Sequence, residues 1–353
     1  EIWEGIRTGV DGAKSWPVDQ TDSLQRLDSC IKELISDTIG VFTIPGTSSS
    51  IDIFLDEKTE VNDLRPYIDT IRRVKSASEI QYMQEAASIA SSAHEKAMRN
   101  SRPGMGEWEI QAMVEGHFMS SQSQWSFPSI VGGGDNATVL HYKDNNQVIG
   151  SGDLVLVDAG CEVSGYASDI TRTWPVNGRF SQPQREIYNL VLKAELAGIE
   201  ACQPGMPWVS MHEAVCVTIA EGLIELGVLN CTLEDALGRV AGKPGVFEGQ
   251  IRNFFMHGTG HFLGLDVHDV GGGRQGDPNS SFLLEPGMVL TIEPGLYFGS
   301  WRNDILIPER YAGIGIRIED DVLVTEQGPF VLSSSCPKML DEIEQIVGRG
   351  EHN

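Results

Sequence analysis

The run Leu154-Val155-Leu156-Val157-Asp158-Ala159-Gly160 is an apolar segment that ends in a carboxylate, and Tyr166-Ala167-Ser168-Asp169-Ile170-Thr171-Arg172-Thr173 returns within a hairpin's length. The first run reads as a buried strand. If the two pair about a turn at Val163-Ser164, Asp158 and Asp169 are equidistant from its centre and lie opposite one another. Directly opposed side chains sit about 4.5–5.5 Å apart at Cβ, close enough for two carboxylates to share one metal centre. Taken singly, Asp158 reads as a turn residue and Asp169 as a solvated one. Their pairing on an apolar hairpin reverses that reading, because roughly several kcal/mol is lost for each buried, unpaired carboxylate. Metal, protonation or arginine must neutralise them.

Three further segments carry chemistry. Residues 257–268 hold His257, His261 and His268, out of eight histidines in the chain, a concentration that core packing does not explain. His257 and His261 have the i, i+4 spacing of a helical zinc motif, but the intervening glycines and the missing glutamate oppose it. Extended or looped chain is expected, with one histidine on metal and the others facing substrate. The strand Val289-Leu290-Thr291-Ile292-Glu293 again ends in a carboxylate before Pro294-Gly295. In Ile314-Gly315-Ile316-Arg317-Ile318-Glu319 the isoleucines face one way, leaving Arg317 and Glu319 together on the other face, where the arginine can orient the carboxylate or a substrate terminus. Asp158, Asp169, His261, Glu293 and Glu319 thus form a set of four carboxylates and one imidazole. Such hard ligands favour manganese and tolerate cobalt or zinc. Two divalent ions there would activate a water and stabilise an oxyanion formed at a carbonyl.

The alternation of helices (Glu107–Ser120, 182–202, 211–226) with strand pairs (Leu154–Ala159, 166–174, 289–293, 314–324) indicates an α+β fold with antiparallel sheet. A long helix is expected from a Ser78 N-cap to Arg99. Residues 1–75 read as a small α/β unit with a helix over 23–35 and strands over 40–44 and 51–55, and 76–353 as the catalytic domain. The first unit is thin for a free-standing domain and reads as the later part of a longer one.

Formal charge narrows the partners. Lys and Arg number 26 against 50 Asp and Glu, for a net charge of −24, which argues against a nucleic-acid or anionic-lipid surface. No segment has the apolar length to span a bilayer, and the start has neither signal nor transit character. Six scattered cysteines without a C-x-x-C pair read as reduced core thiols of a cytosolic or organellar-matrix protein.

From 71 to 347 the chain resembles the pita-bread metallopeptidases, which include aminopeptidase P, prolidase and methionine aminopeptidase. The segments Val157-Asp158-Ala159-Gly160-Cys161-Glu162, Ser168-Asp169-Ile170-Thr171-Arg172-Thr173-Trp174-Pro175-Val176-Asn177-Gly178 and Gly264-Leu265-Asp266-Val267-His268-Asp269-Val270 look like aminopeptidase P. The ending Val331-Leu332-Ser333-Ser334-Ser335-Cys336-Pro337-Lys338 resembles its mitochondrial Xaa-Pro aminopeptidase 3, or intermediate-cleaving, branch. The resemblance implies that Asp158 chelates one metal, that His261 and Glu293 hold the other, and that Asp169 and Glu319 bridge both. It implies catalytic roles for His141 and His268, and places His257, Arg317 and Tyr297 around the proline subsite. It further implies peptide substrates with a free N-terminus, a homodimer, and a mitochondrial-matrix or bacterial cytoplasmic location. Family members carry a fuller creatinase-like N-terminal domain, of which roughly the second half precedes the catalytic domain here.

Prolidase shares the metal set, but the 266–270 and 316–321 segments lean to aminopeptidase P. Methionine aminopeptidase usually lacks such a domain in front. A non-catalytic pita-bread binding module fits poorly with five intact ligands.

Overall fold

In a computed structural model, which describes Trp3 and residues 9–36, 38–47, 49–55, 60–270 and 283–350, the first acidic hairpin turns at Ser164-Gly165. Both residues have positive φ, 52° and 83°, the backbone of a two-residue type I′ turn whose twist matches the flanking strands. Val163 therefore pairs with Tyr166, and Asp158 with Thr171 rather than with Asp169. The expected opposition of the two aspartates is wrong by two residues. A two-residue shift preserves the face, so the carboxylates are diagonal neighbours on one side of the hairpin. Nor is the returning run one strand. It breaks into Tyr166–Ala167 and Ile170–Pro175, because the Ser168 hydroxyl bonds the Cys161 backbone N–H and C=O and leaves Asp169 in the gap.

The described chain divides into two compact units, 1–69 and 70–353. In the first, the parallel strands Gly40–Thr43 and Glu60–Asp63 pair, and the helix Leu27–Ile35 precedes them. The expected 51–55 strand is instead the end of the short helix Ser49–Asp52 and a following turn. The Asp52 carboxylate accepts the Gly46 N–H, tying this helical turn to the Pro45-Gly46 corner.

The second unit is α+β, and all its named strand pairs are antiparallel. Its long helix, Ala77–Asn100, starts one turn-defining pair earlier than expected. Ser76, not Ser78, is the N-cap: its hydroxyl accepts the Glu79 N–H while the Glu79 carboxylate accepts the Ser76 N–H at 2.6 Å. This reciprocal box satisfies two otherwise orphaned donors. Ala86, Ala90, Ala93 and Ala97 are fully buried along one helix face, which lets the helix lie close to the strands behind the site. His94 on that face reaches the Ala159 carbonyl at 3.1 Å.

Two three-stranded sheets supply the site. One orders Ile130–Gly133, Leu154–Ala159 and Ile170–Pro175; the other orders Gly328–Val331, Asp320–Thr325 and Val289–Ile292. The expected 314–324 strand is two. Ile314–Arg317 pairs with Gly295–Phe298, whereas Asp320–Thr325 pairs with Val289–Ile292. The chain changes sheets at Ile318-Glu319, and there the Glu319 N–H donates to the Thr171 carbonyl at 3.0 Å. That bridge is one of the links that join the two acidic strand systems. The helices Glu107–Ser120 and Gln182–Glu200 pack on the strands, and Val209–Glu225 packs on Gln182–Glu200. Among the described residues no helix is long and apolar enough to cross a membrane. All six cysteines are free, with Cys30 and Cys231 only half-buried.

Candidate metal centre and active site

Each apolar strand delivers its terminal carboxylate to one cavity of about 560 Å³, within the size range of small-molecule sites. The strand Leu154–Ala159 brings Asp158, the gap before Ile170–Pro175 brings Asp169, Glu293 follows Val289–Ile292, and Glu319 sits at the sheet change. His261 completes the set. One carboxylate oxygen of Asp169, one of Glu319 and a ring nitrogen of His261 lie within 4.8 Å of one another. His261 Nε2 is 3.4 Å from Asp169 and 3.7 Å from Glu293.

The hydrogen bonds around these groups aim them. His261 Nδ1 lies 3.0 Å from the Phe262 carbonyl, which requires the proton on Nδ1 and leaves the Nε2 lone pair facing the carboxylates. Burial lowers the His261 pKa to about 4, so the ring is neutral and free to ligate. The Asp169 N–H donates to the Asp321 carboxylate, and the Glu293 N–H to the Thr259 carbonyl. Thr171 donates its hydroxyl to Glu319 at 2.5 Å.

Arg317 answers part of the question of what neutralises the acids. Its guanidinium bonds Asp158 at 2.6 Å, the Thr171 hydroxyl at 3.1 Å and the Tyr297 hydroxyl at 3.0 Å. It therefore orients Asp158, and it meets Glu319 only through Thr171. Four carboxylates against one guanidinium still leave three negative charges. Burial, followed by repulsion from neighbouring acids, raises the pKa of Asp169 and Glu319 well above the ordinary carboxyl range. Burial also pushes Glu293 up to about 8. Among the described residues, Asp158 Oδ1 and Asp169 Oδ1 are buried without any hydrogen-bond partner. Orphaned carboxylate oxygens beside a ligand-ready imidazole fit a divalent metal, whose charge and coordination satisfy both.

This imbalance has a measurable pH signature. A raised carboxyl pKa means that the folded state holds a proton the unfolded chain releases, so stability falls as pH rises between the two values. For Glu293 that window runs from 4.5 to about 8. Buried neutral histidines such as His261, whose pKa falls from 6.5 to about 4, work the other way below 6.5. Metal-free protein is therefore expected to show a falling Tm from 6.5 to about 8, and added divalent metal is expected to restore the loss. Thermal melts at several pH values, with chelator and with Mn²⁺, check this; a Tm that climbs over that alkaline part in chelator contradicts it.

The histidines assigned to substrate also reach the cavity. His257 Nε2 is 2.8 Å from the Tyr297 hydroxyl, and its Nδ1 faces the Gly258 carbonyl. Arg317, Tyr297 and His257 thus form a directional chain in which guanidinium donates to hydroxyl and hydroxyl to imidazole. The His268 ring stands 4.1 Å from that of His261, and His141 lines the same cavity from an exposed turn. Every residue assigned to the site lines this cavity except Tyr297, which stands behind His257 and Arg317.

Sequence reading missed the supports. Thr171 links Arg317, Glu319 and the sheet bridge, and Asp321 holds the Asp169 backbone. Both sit in acidic or polar runs in which Asp169 and Glu319 are the conspicuous residues. His212 Nδ1 lies 2.7 Å from the Thr259 hydroxyl, half-buried beside the histidine-rich loop, and no motif marks it. Arg172 donates to the Glu319 carbonyl at 2.6 Å and to Asp320 at 2.7 Å, bracing the sheet change from below.

A metal-ready cluster of this kind has known counterparts. The model of metallopeptidase family M24 matches residues 81–326, and the chain belongs to that family. Within it, the chain is 40% identical to the Xaa-Pro aminopeptidase of Haemophilus influenzae, over 98% of its own length and 79% of the relative's. It is 36% identical to Xaa-Pro aminopeptidase 3 of Mus musculus, over 99% of its length and 68% of that protein. An Escherichia coli aminopeptidase P variant solved in complex with substrate matches with a TM-score of 0.89 at 38% identity, covering 98% of this chain and 79% of that one. The catalytic unit has the pita-bread fold of aminopeptidase P.

Proposed function

We propose that the chain is a dinuclear-metal Xaa-Pro aminopeptidase, which hydrolyses the first peptide bond of chains with a free N-terminus and proline second. The convergence of Asp158, Asp169, His261, Glu293 and Glu319 in one cavity, with orphaned carboxylate oxygens, carries this reading. Asp158 would serve one ion, His261 and Glu293 the other, and Asp169 and Glu319 both; the oxygen-rich set suits manganese. When bound, the ions supply Lewis-acid polarisation of the scissile carbonyl and lower the pKa of water.

The chain's own residues do the rest. His268 and His141 face the cavity as donors for charge developing on the carbonyl and as proton carriers. The tertiary amide of an Xaa-Pro bond has no N–H, so its recognition falls to shape and to acceptor-directed groups. We assign this recognition to His257 and Arg317, which line the cavity, with Tyr297 bonded behind them. The reading extends to a homodimer on family resemblance, and relatives in bacteria and in mitochondria support a bacterial cytoplasmic or mitochondrial-matrix setting.

Matched peptides with proline or alanine second, each with a free or acetylated terminus, test the specificity. Proline is expected to raise kcat/KM by about 10–200-fold, the range that apolar pocket contacts give, and acetylation to abolish cleavage. Equal rates for proline and alanine reject the proline assignment. Cleavage of acetylated peptides rejects aminopeptidase action.

A further inference from the structure

The segment 262–270 carries His268 and begins beside His261, yet neither histidine is fixed by regular secondary structure. Backbone bonds tie its first residues to Val289 and Ala167, and what pins the His268 end is a buried ion pair with a residue outside the loop. Asp269, which directly follows His268, accepts from Lys75 Nζ at 3.1 Å, and both side chains are 1% exposed. Arg72 bonds the other Asp269 oxygen and reaches Asp266 at 2.8 Å. The Asp269 N–H closes the loop by donating to the Phe262 carbonyl at 2.9 Å, and the Lys75 N–H donates to the Gly287 carbonyl at 2.8 Å. The pair lies directly on the backbone of Gly264: a Cβ there would stand 2.1 Å from Asp269 Oδ2 and 2.9 Å from Lys75 Cε.

Two charges removed from water gain little net stability over an apolar pair of similar volume. Stability alone therefore does not account for this one. The geometry points to Lys75 and Asp269 as positioning residues, whose ion pair holds His268 against the reacting centre. The pair touches no substrate; it acts by fixing the backbone one residue from the histidine.

This inference rests on the proposed aminopeptidase activity and on the role of His268, and a mutant cycle tests it. Replacing both partners together, Lys75→Met with Asp269→Leu, removes the pair without stranding a charge, since Arg72 keeps Asp266. The expected result is a fall in kcat of about 10- to 100-fold on an Xaa-Pro peptide, the cost of a small misplacement of a reacting group, with KM and metal content little changed. In a His268→Ala background the same double change should cost nothing further. Should the double variant not fold, Lys75→Arg keeps the charge but alters the fit over Gly264, and is read in the same cycle with an expected drop of about tenfold. An equal loss in both backgrounds, or no loss in either, overturns the inference. Wild-type protein that fails to cleave the Xaa-Pro peptide rejects the functional reading instead.

Discussion

Asp169→Asn removes bound divalent metal and lowers the rate of Xaa-Pro cleavage by roughly 10³-fold or more, and Glu319→Gln does the same. The expectation follows from where the two carboxylates sit. Asp169 and Glu319 are the acids that close with His261 into a cluster within 4.8 Å, and burial, followed by the neighbouring acids, raises the pKa of both. An amide keeps the shape and the Asp321 contact to the Asp169 backbone, but it cannot offer an anionic oxygen to two cations. Metal catalysis of this kind contributes several kcal/mol to the transition state, at about 1.4 kcal/mol per tenfold in rate. The structural alternative, that Asp169 only braces the sheet junction, predicts lower stability with metal retained. Metal content and kcat measured on the same purified variant separate the two, and full metal with full rate would remove Asp169 from the bridging position.

His268→Ala and His141→Ala are expected to keep their metal and lose about 10²–10⁴-fold in kcat, the usual loss for a proton-transfer or oxyanion group. Both rings line the cavity, while five other side chains are assigned as the metal donors. Burial lowers the His268 pKa below the ordinary imidazole range, so at neutral pH it is an uncharged ring able to donate through one nitrogen. Its ring lies 4.1 Å from His261, which makes it the more demanding case, since a ligand role would also place it there. Metal analysis decides: stoichiometric loss of an ion in His268→Ala would move that residue into the coordination sphere. The double alanine variant should lose less than the product of the two single losses, because groups acting on one transition state are not independent.

Much of the site was legible because its chemistry is local. Asp158 and Glu293 each end an apolar strand, and a carboxylate at that place is conspicuous against the residues before it. Position in three dimensions was less legible. The Ser164-Gly165 pair carried the signal for a two-residue turn, yet symmetry between the aspartates drew the turn one residue earlier and shifted the register by two. The error spared the conclusion only because strand side chains alternate with period two. The sequence pattern continues the strand from Ile314 through Glu319, whereas the chain changes sheets there, and nothing short-range in Ile316-Arg317-Ile318-Glu319 shows that its next partner is Thr171. The Arg317–Asp158 pair, the Asp321 contact to Asp169 and the His212–Thr259 contact all join residues far apart in the chain. Such supports are properties of the assembled sheets, not of any segment.

The central claim is that the carboxylate cluster holds two divalent ions on which peptide cleavage depends. It is tested most directly by titrating Mn²⁺ into chelator-treated wild-type and Asp169→Asn protein while following release of the first residue from an Xaa-Pro peptide. Wild-type activity should be absent at the start and reach its plateau as the second equivalent binds, with Asp169→Asn remaining flat throughout. Undiminished cleavage by the metal-stripped wild-type protein, or a titration of Asp169→Asn that matches it, would contradict the account.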